Sequence, residues 1–443
     1  MRAAWILIAV WRVAAAQQDD DAAALALADR TQAVADTPRT CVEYAEAAVT
    51  DTTYSTPAPS SAGGRASLNI RCDGALGRQW RAVFSDRLDY FWAHGSSAEA
   101  VNTLKEAYMS FRGGGTELFD VGRINVREGV GFAYNPSDYF RANAVRTIIS
   151  IDPGTLLDER LGTLMARSQT LWSSGSLTAL YAPRVNAEPN ASTFSPDLGA
   201  TNERSRWLLL LSQRLGADFQ PQLSVTGTEH QSPQAGLNLT YLLNAATVAY
   251  VEWSGGRGPS NLAASGHLGV GPAAATGLIA PPAEQATSVP PAPATSPAVA
   301  TAFHSRLSTG FTYTTPYKLS LTLEYEYDEA APSRSEWAAL RNGPLAPYVR
   351  YREYAGAQAE LAARQNIFGY AHWDDVGIPH LDLTAFVRFD PYDHSRVSWT
   401  EARYHWQRAG VALQWQRRAG DATSDFAPWP VRQSWLALID YYF

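Results

Sequence analysis

The chain lacks the features of a helical membrane protein, a zinc domain or a nucleic-acid binder. No apolar run reaches the roughly 20 residues that a spanning helix needs. Only two cysteines occur, Cys41 and Cys72, with no CxxC or CxxH spacing, so no metal ligands are assigned. The formal net charge is −7 and no basic run exists, which argues against a nucleic-acid surface. No Gly-x-Ser-x-Gly or comparable serine context accompanies the His/Asp neighbours His372, Asp374, Asp375, His380, Asp393 and His394. Nucleophilic catalysis needs such a partner for its base. No catalytic residue and no cofactor is therefore assigned, and the chain is not read as an enzyme. Methionine is also scarce, at 3 residues.

Aromatics are abundant instead: 14 Trp, 21 Tyr and 15 Phe in 443 residues. Trp and Tyr are favoured where one end of a side chain is apolar and the other wet, as in the girdles of membrane barrels. A Trp-rich soluble β-protein fits this composition equally well.

Residues 1–16 read as a cleaved signal peptide. Arg2 is followed by an apolar core from Ala3 to Trp11 and an A-x-A site at Ala14–Ala16, with Arg12 interrupting the core. Residues 17–40, acidic and then Ala-rich, read as a periplasmic N-terminal segment. Residues 41–443 read as one barrel domain. The implied compartment is oxidising, so a Cys41–Cys72 disulfide is open, with two unpaired cysteines as the alternative.

From Cys41 onward, short period-two runs alternate with turn-rich segments. In Tyr317–Asp328, the residues Tyr317, Leu319, Leu321, Leu323, Tyr325 and Tyr327 share one face. Lys318, Ser320, Thr322, Glu324, Glu326 and Asp328 share the other. Successive strand side chains point to opposite faces, so this run has one apolar and one charged wall. Its aromatics lie at the two ends, as expected for a strand that crosses a bilayer. About 18 such runs are readable, with 16 strands as the alternative, and short links alternate with the long links 183–203, 255–300 and 328–364. This pattern predicts an all-β fold, a transmembrane antiparallel up-and-down β-barrel with an inward-folded loop and short loop helices. Helices are expected at 334–342 and 351–363, and a mobile outer loop in the Ala/Pro/Gly-rich 255–300.

The last strand carries Trp435, Ala437, Ile439, Tyr441 and Phe443 on one face. A terminal Phe after alternating apolar residues resembles the signal read by the outer-membrane barrel assembly machinery. The physical need behind it is closure, because an open edge in lipid leaves backbone groups unsatisfied.

A second resemblance lies in Val121–Arg141, where a Gly-Arg pair precedes a Gly-rich loop running into Asn-Pro-Ser-Asp-Tyr-Phe. With Asn102–Phe111 and Ser85–Tyr90, this stretch resembles proteobacterial porin-like outer-membrane proteins related to the alginate-export family. The likeness is strongest over residues 65–150. It implies a large single-chain barrel with a solute-conducting lumen, and it does not imply alginate.

Alternation assigns Arg306, Lys318, Glu324, Glu326, Asp328, Arg388, Arg403 and His405 to the lumen, where rings of charge set solute preference. Non-helical backbone at membrane depth is tolerated where it lines a water-filled cavity. The loop holding Arg123, Arg127, Glu128 and Arg141 is therefore the candidate constriction. The expected role is an outer-membrane channel that passes or exports a small organic solute or a polysaccharide. A plugged structural or adhesive barrel is the alternative, with a barrel hydrolase behind it. Expected partners are outer-membrane lipid, the assembly machinery and the solute. The oligomeric state is not read.

Overall fold

The computed structural model describes residues 40–55, 60–95, 97–186, 188–190, 192–216, 218–267, 300–427 and 431–443. The expected signal peptide, most of the N-terminal segment and most of the 255–300 loop lie outside these residues.

The strands are β1 (Thr40–Tyr54), β2 (Ser61–Ala75), β3 (Trp80–Ala93), β4 (Glu99–Gly113), β5 (Glu117–Ile124), β6 (Thr163–Trp172), β7 (Gly175–Ala182), β8 (Arg206–Gln213) and β9 (Phe219–Thr228). They continue as β10 (Gln234–Asn244), β11 (Thr247–Gly258), β12 (Ala302–Thr314), β13 (Leu319–Asp328), β14 (Gln365–Trp373), β15 (Leu381–Phe389), β16 (Arg396–His405), β17 (Ala409–Ala419) and β18 (Val431–Tyr442). All form one antiparallel 18-stranded sheet in which each strand pairs with its sequence neighbours and β1 also pairs with β18. The seam is in register from Tyr44 opposite Tyr442 to Thr53 opposite Gln433. Closure satisfies every strand edge, which in hydrocarbon would cost several kcal/mol for each orphaned backbone group. The run read at Tyr317–Asp328 falls on β13, and the strand number is the expected 18 rather than 16.

Side chains alternate as the barrel requires. Val121 is 61% exposed and Ile439 54% exposed, whereas Glu252 and Glu324 on other strands are fully buried. Exposed aliphatics such as Leu68, Leu209, Leu323 and Leu413 lie mid-strand. Trp80, Phe119 and Tyr441 lie near the short-turn end, and Tyr90, Trp92 and Trp207 near the long-loop end. That distribution is an apolar band between two aromatic girdles.

Cys41 and Cys72 stand directly opposite each other on β1 and β2. They form a disulfide with a Cα–Cα distance of 4.0 Å.

Helices occupy the long loops: α1 (Pro153–Asp158), α2 (Leu198–Thr201), α3 (Asn261–His267), α4 (Arg334–Arg341) and α5 (Leu345–Ala357). A Ser333/Glu336 capping box starts α4, satisfying donors that the first helical turn leaves unpaired. The helix expected at 351–363 begins earlier, at Leu345, directly after Pro344 at the N-cap, and stops at Ala357. A proline there fixes φ without losing a needed N–H.

A loop crossing the barrel lumen

The segment 125–162 between β5 and β6 folds into the barrel. Two apolar clusters hold it. Val126 and Phe140 pack with Val83, Tyr108, Met165 and Leu208 of the β3–β8 wall. Phe132, Ala133 and Ile151 pack against Phe368, Phe386 and Trp399 of β14–β16, with Phe132 4.5 Å from the Tyr370 ring centroid.

Two wall carboxylates then capture the loop backbone. Glu252 on β11 accepts the N–H groups of Val130, Gly131 and Ser137, each at 2.7 Å, and the Ser137 hydroxyl at 2.9 Å. Glu324 on β13 accepts the N–H groups of Phe132, Ala133 and Tyr134 at 2.5, 3.1 and 3.0 Å. It also accepts the Tyr250 hydroxyl at 2.6 Å. Consecutive backbone N–H groups curled around an anion form a nest, and an ionised acceptor makes each bond stronger than a neutral one. Gly129 enables the curl. It sits at φ +101°, and a Cβ there would lie 2.6 Å from the Glu252 carboxylate.

The loop roofs a lumen cavity of about 1210 Å³ at the short-turn end. Residues Ile124 to Phe132 and Leu157 to Glu159 form its ceiling, and β1–β12 supply most of its wall. A smaller space of about 90 Å³ lies between Ile148–Ile151 and the β1, β16, β17 and β18 wall.

The four constriction candidates divide into two kinds. Arg127 and Glu128 line the cavity, and Arg127 pairs with Asp158. Arg123 is buried instead: its Nε donates to Gly162 O at 2.9 Å and its Nη1 to Pro196 O. Arg141 is partly buried, donating to Asn135 O and pairing with Glu360 at 2.8 Å. Burial pushes the Glu360 carboxyl up, but Arg141 and Arg306 beside it outweigh that and hold it below its ordinary value. Arg123 and Arg141 thus pin loops rather than line this cavity.

Among the lumen-facing charges, Glu326 pairs with Arg388 at 2.6 Å. Arg306 lies 3.3 Å from both Asp328 and Glu360. Arg403 bridges Glu401 and Asp440, each at 2.9 Å. His405, at the end of β16, meets Asp382 at 3.3 Å. Lys318 requires correction. It is not on β13 but in the preceding turn at φ +61°, exposed, and paired with Asp375 of the neighbouring turn at 2.5 Å. The alternation runs unbroken through Tyr317–Leu319, but the left-handed backbone ends the strand there.

The His/Asp neighbours sit at strand ends and in turns. His372 bonds Thr384 at 2.8 Å and Asp374 at 2.9 Å, and Thr384 is its direct cross-strand neighbour. Among the described residues, no group of three or more His, Cys, Asp or Glu is arranged to hold a metal ion. Trp435, Ile439, Tyr441 and Phe443 all point outward and are exposed, and the Phe443 N–H donates to Glu43 O at 3.0 Å across the seam.

No family model and no curated protein matches the chain. Solved structures do. OccAB1 of Acinetobacter baumannii matches with a TM-score of 0.53 at 9% identity, over 94% of this chain and 99% of that one. OpdQ of Pseudomonas aeruginosa gives 0.52 at 9%, over 92% and 99%. OccK5 (OpdH) of the same organism gives 0.51 at 10%, over 92% and 98%. These neighbours are outer-membrane porins of the Occ/OprD group with 18-stranded barrels. A relation to the alginate-export family is not shown. At such identities the likeness establishes the fold: the chain shares with these neighbours a closed antiparallel barrel of 18 strands.

Proposed function

We propose that the protein is an outer-membrane channel for small organic solutes. The observation that carries this reading is the cavity of about 1210 Å³ inside a closed barrel, lined by charged and hydroxyl side chains beside apolar ones and roofed by a loop folded into the lumen. A barrel wall with an apolar outer band and a hydrated, charged interior suits passage of a solute through lipid. A roof pinned to facing walls favours small molecules over a polysaccharide thread. The short turns then face the periplasm and the long loops the exterior, which suits an even strand number with both chain ends on the periplasmic side. In this reading Phe443 and the outward residues before it serve as the assembly signal, and residues 1–16 direct export. Arg127 and Glu128 lie on the solute path.

The pinned loop also favours a second reading, a plugged barrel whose outer loops do the binding. Osmotic swelling of liposomes holding the refolded protein separates the two. Swelling in solutes of increasing size should fall off at a small-solute limit. Liposomes that swell no faster than protein-free ones would support the plugged barrel.

A further inference from the structure

Resting on the channel reading, we propose that the cavity prefers uncharged, hydroxyl-rich solutes of sugar size over ions of similar size. The charged residues lining it balance: Arg71, Arg81, Lys105, Arg127 and Arg167 stand against Glu106, Asp120, Glu128, Asp158 and Glu159. Each of these cations already holds a carboxylate. Arg71 meets Glu106 at 2.9 Å, Arg167 meets Asp120 at 2.6 Å and Lys105 meets Glu159 at 3.2 Å. Arg127 pairs with Asp158 and Arg81 with Asp73.

An anionic solute that reaches one of these cations must displace a seated carboxylate and leave it partnerless. The exchange gains little, because the solute's charge takes over a contact already made and stands against the carboxylate that it displaces. A cationic solute meets the same obstacle at Glu106, Asp120, Asp158 and Glu159.

Elsewhere around the ring the wall is uncharged. Strands β9–β12 and their turns present Gln222, Thr240, Thr247, Thr312, Thr314 and Thr315. Hydroxyls donate and accept at once, so they match the hydroxyls of a sugar-like solute in either sense. Tyr44, Tyr250 and Tyr442 also line the cavity and offer apolar ring faces.

The test uses the refolded full barrel in planar bilayers under a KCl gradient, and in liposomes with a neutral hexose and the corresponding sugar acid. Wild type should show a potassium-to-chloride permeability ratio within about threefold of unity. The hexose should enter faster than the acid. Glu106→Gln with Asp120→Asn uncovers Arg71 and Arg167, so it should shift the ratio toward chloride and speed entry of the acid. Each single variant is measured as well, and heat-shifted gel mobility confirms that each barrel is folded. Strong ion selectivity in wild type, or acid entering as fast as hexose, overturns the proposal while leaving a channel. A folded double variant with wild-type selectivity also overturns it. Absence of both current and swelling overturns the channel reading itself.

Discussion

Replacing Glu324 by alanine removes one acceptor from four donors at once: the N–H groups of Phe132, Ala133 and Tyr134 and the Tyr250 hydroxyl. An unsatisfied buried donor costs about 1–3 kcal/mol, and water entering the vacated space recovers part of that. A net loosening of roughly 2–4 kcal/mol is the reasonable expectation. That raises the population of detached loop by roughly 30- to 1000-fold. The barrel itself should persist, because Glu324 closes no strand pair. Single-channel records of the variant should show larger mean current and rapid flicker as the roof lifts and returns. Glu324→Gln keeps one acceptor oxygen but turns an amide N–H₂ toward donors, so it should fall between wild type and alanine. A folded alanine variant whose current and noise equal those of wild type would refute the idea that this carboxylate holds the loop.

Other perturbations have equally defined outcomes. Asp390 lies just beyond β15, and burial, with Asp425 and Asp393 nearby, pushes its carboxyl up to about 7. An acid with a higher pKa folded than unfolded holds its proton better when folded, so its stabilisation is complete at low pH and lost as pH rises through about 7. Hydrogen exchange in 390–395 and 421–427 should quicken over that window, and Asp390→Asn should flatten the dependence. Removing the Cys41–Cys72 disulfide, whose partners are 31 residues apart, should lower stability by about 3–4 kcal/mol in the chain-entropy picture, read from the urea midpoint with and without reductant. Deleting Phe443 should reduce the heat-modifiable fraction recovered from the outer membrane more than it slows refolding in detergent; equal effects on both would argue against an assembly role.

The barrel was legible in the sequence because every strand meets lipid on one face and water on the other. That constraint writes a period of two into each span, and the count of about 18 runs matches the 18 strands observed. It assigns a face but not a partner. Glu324 was therefore placed correctly on the lumen side and read as a charge met by solute, whereas its partners are backbone groups about 190 residues away. Glu252 escaped notice for the same reason: its run shows only a polar residue facing in. Lys318 was misplaced because periodicity does not register a left-handed φ at a non-glycine residue. Arg123 and Arg141 were rightly located near an inward-folding segment, but the carbonyls and carboxylate that bury them come from loops distant in sequence.

The most direct test of the central claim is single-channel recording from refolded protein in a planar bilayer. The channel proposal predicts discrete, reproducible conductance steps as individual barrels insert, smaller than those of an unroofed barrel of 18 strands. Bilayers that take up folded protein yet stay electrically silent would contradict it.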